Sequence, residues 1–238
     1  MLLLGLALAA DAFGPAPRGP VSLLSVGNDH ACVIGETGAL RCWTTPDASF
    51  ALGTVPAGTY RDVEVGMSST CALDAAGAVR CFGNPRLVPQ VPPGTYAEMC
   101  HDVALCLRGV DGAVACHTRD GARALPPTRT GTLTCGGAWS CGLTEPGELA
   151  CVEADRVMAQ GSEYMPAAGW SLPKGPFTAV VSGYQHGCAL RPDGTVACWG
   201  RDVAGETEPP PGTFTKLALG EKRSCGLASD GAIHCWGG

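Results

Sequence analysis

Short stretches in which apolar and polar residues alternate recur along the chain, separated by segments rich in glycine and proline. VEVG (residues 63–66) and KLALG (216–220) have the period of two that is typical of a strand with one buried face. A Pro-x-Gly turn leads into them, as in PAGTYRDVEVG and PPGTFTKLALG. The pattern predicts an all-β protein with many short strands and many turns.

The cysteines follow the same repeat. Of the 14 cysteines, 12 form six pairs with a separation of ten positions, and a glycine always stands six positions after the first cysteine. The pairs are Cys32–Cys42, Cys71–Cys81, Cys106–Cys116, Cys141–Cys151, Cys188–Cys198 and Cys225–Cys235. The glycines are Gly38, Gly77, Gly112, Gly147, Gly194 and Gly231.

Each of these spans is predicted to be a β-hairpin with a three-residue loop, whose third position suits glycine in the left-handed conformation. With residues 192–194 as the loop of the fifth span, Cys188 falls directly opposite Cys198. Opposed residues on antiparallel strands have Cα atoms about 4.5–5.5 Å apart, which allows a disulfide. Cys100 and Cys135 occupy equivalent places, six residues before the first hairpin cysteine of their repeats, and we expect them to bond to each other.

The cysteine content also bears on the compartment. Many cysteines without a close Cys-x-x-Cys pair indicate disulfides formed in an oxidising environment rather than a zinc site. The N-terminal MLLLGLALAAD is a short Leu/Ala run that ends in small residues, as a secretory signal peptide does. We therefore assign residues 1–13 to a remnant of a signal segment and residues 14–238 to one repeat domain that is secreted, periplasmic or on the cell surface. The run is too short to span a bilayer, so we expect no stable membrane insertion of the mature domain.

An apolar strand that ends in glycine, followed by CAL, DG and V-x-CWG, resembles the regulator of chromosome condensation repeat family in a bacterial, disulfide-bearing secreted form. The resemblance covers residues 15–238 and implies a β-propeller with one blade per repeat. We count six units, whereas the family usually has seven. A Pro-rich segment such as GETEPPPG replaces the family's Gly-Gln-Leu-Gly stretch. Gly19 lies before Cys32 at the offset found in other units, so we expect the N-terminal segment to complete the last blade.

Charge and motifs exclude several classes of function. The net charge is −6, and no stretch concentrates Lys and Arg as a nucleic-acid-binding surface would. The glycines form no phosphate-binding loop, and no nucleophile stands beside a base. The five histidines occur singly, without metal-ligand spacing, at positions 30, 101, 117, 186 and 234. We therefore expect no catalytic, cofactor-binding or metal-binding site.

The six units differ most just before the first cysteine of each hairpin, where they read NDHA, MSST, DVAL, GAWS, YQHG and EKRS. Variable loops at fixed strand ends are typical of a binding surface, although drift in unconstrained loops is the alternative. The candidate residues in these loops are Trp139, Tyr184, His186, Lys222 and Arg223. An insertion in the 47-residue interval adds Tyr164 and Trp170, which either contact a protein or pack back onto the blade.

Together these features predict a secreted or periplasmic scaffold without enzymatic activity that binds a macromolecule, in the first instance a protein. One alternative is a lectin-like propeller, in which Trp139, Trp170 and Tyr184 stack on sugar rings. A second is an enzyme, including the nucleotide exchange activity that the resemblance implies. Exchange on a cytosolic GTPase conflicts with a disulfide-bonded chain behind a signal-like segment, and it ranks last.

Overall fold

The computed structural model describes residues 20–45, 48, 52–118, 121–153 and 172–238. These residues form 19 β-strands in six antiparallel sheets and no helix. The chain divides into two compact units, Met1–Asp102 (unit 1) and Val103–Gly238 (unit 2). The all-β class predicted from the alternating pattern is confirmed.

Unit 1 contains sheet 1, in the order β1-β2-β3, sheet 2, in the order β4-β5-β6, and strand β7. Its strands are β1 (Val21–Val26), β2 (His30–Gly35), β3 (Leu40–Thr44), β4 (Tyr60–Val65), β5 (Ser69–Asp74), β6 (Val79–Gly83) and β7 (Tyr96–His101).

Unit 2 contains the remaining strands. They are β8 (Leu105–Gly109), β9 (Val114–Thr118), β10 (Gly121–Leu125), β11 (Thr134–Cys135), β12 (Trp139–Leu143), β13 (Leu149–Glu153), β14 (Ala179–Ser182), β15 (His186–Leu190), β16 (Val196–Gly200), β17 (Phe214–Leu219), β18 (Arg223–Ala228) and β19 (Ile233–Gly237). Within unit 2, β8, β9 and β10 pair in the order β10-β9-β8 (sheet 3), and sheets 4, 5 and 6 are β11-β12-β13, β14-β15-β16 and β17-β18-β19.

The predicted hairpins form with the predicted register. In sheet 5, Gly194 adopts a φ of +84° and donates its N–H to the carbonyl of Arg191, and Cys188 lies opposite Cys198. All six hairpins carry their disulfide, with Cα–Cα distances of 3.9–4.1 Å. Cys100 and Cys135 are each disulfide-bonded as well, and none of the described cysteines is free.

These Cα–Cα distances are shorter than the range of about 4.5–5.5 Å expected for opposed residues. The reason is the position of the cysteine pair in the hydrogen-bond pattern of the two strands. Arg191 donates its N–H to the carbonyl of Thr195 at 2.8 Å. Since hydrogen-bonded and non-hydrogen-bonded pairs alternate, the cysteine pair three residues further along takes a non-hydrogen-bonded position. At such positions the two strands approach most closely.

The hairpin glycine also anchors the following repeat. The carbonyls of Gly38 and Gly77 accept the N–H of Tyr60 and Tyr96, each at 2.8 Å. In unit 2 the carbonyls of Gly147 and Gly194 accept the N–H of Phe177 and Phe214 at the same distance. A Cβ on Gly147 would lie 2.7 Å from the carbonyl oxygen of Phe177. Glycine is therefore required at this turn both by its positive φ and by the close approach of the next unit.

Each unit has a core that lies between consecutive sheets. In unit 1, Cys32 and Ile34 of sheet 1 pack against Val63, Val65 and Phe82 of sheet 2. In unit 2, Cys141 and Leu143 of sheet 4 pack against Val180, Ala189 and Trp199 of sheet 5. The disulfide of one sheet is therefore covered by the apolar face of the next.

The two predictions about the N-terminal segment concern residues that are largely outside the described ones. Residues 1–13, assigned to a signal remnant, are not described. The described part of the segment, Val21–Val26, is a strand of sheet 1, and sheet 6 consists of β17, β18 and β19. Completion of the last blade by the N-terminal segment stays a prediction.

Candidate functional site

The variable loops of unit 2 stack on one another through glycine backbones. A Cβ on Gly136 would lie 2.0 Å from the carbonyl oxygen of Gly183, and one on Gly183 would lie 2.7 Å from that of Gly220. The loops formed by residues 136–138, 183–185 and 220–222 are therefore consecutive neighbours. We call them, with Trp139 and Arg223 at the strand starts that follow, the unit 2 rim. No side chain fits at the first two glycine positions, so variation is confined to the residues after them.

Tyr184 lies at the middle of the unit 2 rim. A Cβ on the neighbouring Gly137 would lie 2.3 Å from Cδ2 of Tyr184, so the ring occupies the space that glycine leaves. The N–H of Tyr184 is 3.3 Å from the carbonyl oxygen of Gly220. Trp139 is the first residue of β12, and like Tyr184 it is half-buried. Both aromatic candidates thus have one part of the side chain in the protein and another part at the surface.

The basic candidates are exposed. Lys222 ends the third loop, and Arg223 begins β18 with its guanidinium 3.3 Å from the carbonyl oxygen of Gly238. A further contact was not predicted. The guanidinium of Arg201 donates to the side-chain oxygen of Gln185, and the backbone N–H of Arg201 donates to the backbone carbonyl of Gln185 at 2.9 Å. Gln185 belongs to the variable segment YQHG. No local sequence pattern connects it with Arg201, which lies 16 residues further along the chain.

The structure places His186 away from any surface that a partner could reach. Its side chain is fully buried, and its Nε2 lies 2.7 Å from Oγ of Ser224. The Ser224 hydroxyl donates to the carbonyl of Glu206 at 3.0 Å, so it accepts from a protonated Nε2. Burial lowers the pKa of His186, although Glu206 and Asp202 oppose the shift. His186 therefore joins sheets 5 and 6 as a neutral donor and is excluded from the unit 2 rim.

Unit 1 repeats this hydrogen bond between its own sheets. Nε2 of His30 lies 2.7 Å from Oγ1 of Thr70, and both side chains are buried. Burial lowers the pKa of His30 to about 4, against the opposing effect of Asp29. The two histidines that follow Gly-x-x in the sequence thus have the same structural role. The other two candidates, Tyr164 and Trp170, lie outside the described residues.

The loops of unit 1 stack in the same way but have acidic surroundings. A Cβ on Gly27 would lie 2.6 Å from the carbonyl oxygen of Gly66, and one on Gly66 would lie 2.6 Å from that of Asp102. Burial raises the pKa of Glu64 to about 8, with smaller contributions from Asp62 and Asp102. Burial likewise raises the pKa of Asp102 to about 6. Nothing in the sequence indicated these shifts, since they depend on which strands pack around the carboxyl groups.

The unit 2 rim combines aromatic and cationic side chains. The unit 2 rim offers two half-buried aromatic rings and exposed cations on backbones held by close contacts, which suits binding to a surface. Buried His30 and His186 are held by hydroxyl groups, so neither is placed to act as a general base on a bound substrate. Among the described residues, no helix has the length and apolar character of a membrane span.

Comparison with known protein families gives one match. Residues 177–206, which span sheet 5 and the segment after it, match the family model of the regulator of chromosome condensation (RCC1) repeat. The fifth unit is therefore similar to an RCC1 repeat. The resemblance inferred from CAL, DG and V-x-CWG is thereby confirmed, while a bacterial origin stays a prediction. No curated protein sequence gives a significant match to the chain.

Solved structures place this RCC1 repeat in a propeller fold. The ectodomain of the Physcomitrella patens receptor kinase CR4 superposes with a TM-score of 0.72 at 24% identity, over 92% of this chain and 64% of the ectodomain. The chain thus spans slightly less than two thirds of that ectodomain. Prp20p of Saccharomyces cerevisiae, studied for its binding to Gsp1p and histones, gives 0.67 at 14% identity, over 90% of this chain and 71% of Prp20p. The predicted fold class, a β-propeller with six sheets as its blades, is confirmed.

Proposed function

We propose that this RCC1-repeat chain is a binding scaffold without enzymatic activity, which recognises a protein through the unit 2 rim. The observation that carries the proposal is the stacking of three variable loops through Gly136, Gly183 and Gly220. Rigid backbones with variable side chains are what a recognition surface needs, because little conformational entropy is lost on binding. Tyr184 and Lys222 are the residues on which we expect affinity to depend most.

Several observations support a protein rather than another partner. Half-buried aromatic residues beside exposed Arg and Lys are the composition of protein-binding hot spots. The structural neighbour Prp20p binds proteins, namely Gsp1p and histones. The carbohydrate alternative requires open aromatic faces, and within the described residues Trp139 and Tyr184 are half-covered.

The proposed compartment is extracytoplasmic. Six hairpin disulfides are present, and cysteines in the cytosol are kept reduced. The CR4 neighbour is an ectodomain. Secretion or a cell-surface location follows as part of the proposal, and it can be tested by recovering the disulfide-bonded chain from the extracellular or periplasmic fraction of its native cells.

The test is affinity capture from that fraction with the immobilised chain, followed by binding measurements with the purified partner. We expect Tyr184→Ala and Lys222→Glu each to weaken binding about tenfold or more. Lys174→Glu is the matched control, because Lys174 is an exposed lysine of unit 2 outside the rim. Equal affinities for all variants would contradict the rim as the binding surface.

A glycan array probed with the same variants separates the two binding hypotheses. Glycan binding that is lost in Tyr184→Ala but retained in Lys222→Glu would favour the lectin-like alternative. Turnover of a nucleotide or hydrolytic substrate by the pure chain would contradict a scaffold without enzymatic activity.

A further inference from the structure

His186 connects sheets 5 and 6 directly beneath the unit 2 rim. Its imidazole is fully buried, and its Nε2 donates to the Ser224 hydroxyl at 2.7 Å. The Ser224 hydroxyl donates to the backbone carbonyl of Glu206 at 3.0 Å, and the same carbonyl accepts the indole N–H of Trp236 at 2.9 Å. One buried hydrogen-bond network therefore joins sheet 5, sheet 6 and the segment between them, and its first donor is a titratable group.

The same imidazole lies against the contact that stacks two loops of the rim. A Cβ on Gly183 would lie 2.7 Å from the carbonyl oxygen of Gly220, 2.9 Å from Cε1 of His186 and 3.2 Å from its Nδ1. The N–H of Gly183 donates to the carbonyl of His186 at 2.8 Å, which closes the loop that carries Tyr184. A movement of the imidazole would therefore disturb the loop of sheet 5 and its contact with the loop of sheet 6.

The surroundings of His186 suit a neutral imidazole. Because Ser224 donates its one proton to Glu206, its oxygen is left to accept, and Nε2 carries the proton. Nδ1 is buried and has no hydrogen-bond partner among the residues that the structure describes. Protonation would place a second N–H at this atom and add a positive charge in the interior, and both are costly without a partner. Opening of the contact to water would remove that cost.

Two carboxylates act on the imidazole from the segment after β16. Burial lowers the pKa of His186 from its ordinary value of 6.5, and Glu206 and Asp202 oppose the shift without cancelling it. The Glu206 carboxylate is already engaged, since it accepts the N–H groups of Val203 and Ala204 at 2.8 and 2.6 Å. The two carboxylates therefore moderate the cost of a protonated ring but do not remove it.

The other elements near the imidazole carry their charges at the surface. Sheet 6 contributes the uncharged Ser224 hydroxyl, while Glu221, Lys222 and Arg223 beside it are exposed. The guanidinium of Arg201 donates to a side chain in the loop of sheet 5. Sheet 4 packs on the opposite face of sheet 5. The carboxylates of the segment after β16 are thus the charges that determine how acidic the solution must be to protonate the ring.

The other contact of the rim, between the loops of sheets 4 and 5, has different residues at the equivalent positions. Two residues before the first cysteine, sheet 5 has His186 and sheet 4 has Trp139. One residue before the first cysteine, sheet 6 has Ser224 and sheet 5 has Gly187. Tryptophan and glycine side chains do not titrate, so acid should act on one rim contact and leave the other unchanged.

We propose that His186 is a pH-sensitive switch of the unit 2 rim, which holds the loops of sheets 5 and 6 together in neutral solution and opens their contact in mildly acidic solution. The disulfides Cys188–Cys198 and Cys225–Cys235 keep each hairpin together, so the opening is local. Protonation of the buried ring is the event that biases the contact. The consequence for recognition, which rests on the proposed function, is that acid releases the protein bound to the rim.

Hydrogen exchange measured by NMR on the full chain tests the switch without a partner. The indole N–H of Trp236 reports on the network, and its opening constant follows after correction for the intrinsic exchange rate at each pH. In the open contact the histidine has its ordinary pKa of 6.5, so each pH unit below this value favours opening by up to tenfold. We expect the opening constant to rise up to about 30-fold between pH 6.5 and pH 5. Amides of residues 139–153 in sheet 4 should show no such rise.

Two histidine variants separate the switch from general sensitivity to acid. His186→Gln keeps an N–H donor for Ser224 but does not titrate, so its opening constant should stay within about twofold over the same range. His234→Gln changes an exposed histidine of sheet 6 and should respond to acid as wild type does. Equal responses of wild type and His186→Gln would overturn the proposal, and so would a Trp236 opening constant that does not change in wild type.

Wild-type protein is sufficient for a decision if His186→Gln does not fold. A rise in the Trp236 opening constant that follows the titration of the His186 Cε1–H resonance supports the switch. Titration of that resonance without the rise contradicts it.

Release of a captured partner is the second readout. A protein bound to the rim at pH 7 should dissociate at least about tenfold faster at pH 5 from wild type, and it should stay bound to His186→Gln. Failure to capture any partner would count against the proposed function, and the exchange measurement would then decide on the switch alone. Equal release from both proteins would overturn control of binding by His186 and leave the partner-binding rim in place.

Discussion

The loops of unit 1 and unit 2 share one backbone contact and differ in the side chains around it. In both, a glycine approaches the carbonyl of the next loop so closely that a Cβ would lie within 2.7 Å of it, as at Gly66 and Gly183. Near this contact, unit 1 has the desolvated carboxyl groups of Glu64 and Asp102, whereas unit 2 has the side chains of Tyr184, Lys222 and Arg223. The comparison teaches that the contact between repeats fixes the glycines and leaves their neighbours free to vary.

The largest expected effect on stability comes from disrupting the shared contact between a loop glycine and the carbonyl of the next loop. In Gly183→Ala the new Cβ would lie 2.7 Å from the Gly220 oxygen and 2.9 Å from Cε1 of His186. Since neither group can move without disturbing its sheet, we expect a loss of about 3 kcal/mol in the free energy of unfolding. Urea denaturation followed by circular dichroism measures it.

Gly220→Ala is the matched control for this substitution. Its Cβ would meet only the Arg223 oxygen, at 3.7 Å, which is an ordinary contact. We expect a change within about 0.5 kcal/mol. If Gly183→Ala and Gly220→Ala had equal effects, the close approach would not be the reason for glycine at these positions.

The second prediction concerns the buried hydrogen bonds between sheets. Ser224→Ala removes the acceptor of His186 Nε2 and the donor to the Glu206 carbonyl. Because His186 Nε2 is then left buried without its acceptor, while the Glu206 carbonyl keeps the indole N–H of Trp236 at 2.9 Å, we expect a loss of about 2 kcal/mol. In unit 1, Thr70→Ser keeps a hydroxyl for His30 and should cost less than Thr70→Val. Thermal unfolding of the four proteins provides the test, and a Thr70→Val variant as stable as Thr70→Ser would contradict the assigned role.

The third prediction concerns the pH dependence of stability, which we expect the carboxyl group of Glu64 in unit 1 to influence. The pKa of Glu64 is raised to about 8 from its ordinary value of 4.5, so the folded chain keeps a proton that the unfolded chain loses. The associated stability is complete below pH 4.5 and is lost as the pH rises through 8. We expect Glu64→Gln to be more stable than wild type at pH 9 by about 1 kcal/mol or more, since one pKa unit corresponds to this amount.

The control for the pH experiment is Glu36→Gln, which changes an exposed carboxylate of unit 1. Chemical denaturation at pH 5, 7 and 9 gives the three curves. Parallel pH dependence in wild type and Glu64→Gln would show that Glu64 titrates as an ordinary surface carboxylate.

The smallest expected effect tests the variable part of the unit 2 rim. Lys222→Glu alters an exposed side chain with no role in the sheet contacts, so we expect a change in stability within about 0.5 kcal/mol. Tyr184→Ala should cost more than Lys222→Glu, because it empties the space above Gly137. A large destabilisation by Lys222→Glu would assign that side chain to the fold instead of to recognition.

The sequence by itself determined the features that depend on neighbours within about a dozen residues. Alternation set the strands, the turn glycine set the hairpin register, and the ten-residue cysteine spacing set the disulfides of the hairpins. These are local because a hairpin forms its ladder within one short segment. The resemblance carried by CAL, DG and V-x-CWG then identified the repeat correctly.

Only the tertiary structure decided which of the variable residues are accessible. His186 looked like a loop residue, but Ser224, 38 residues away, holds it in the interior. The raised pKa of Glu64 likewise depends on burial of its carboxyl group in the folded chain. Such properties arise between repeats, where partners are distant in sequence, so no local pattern of residues encodes them.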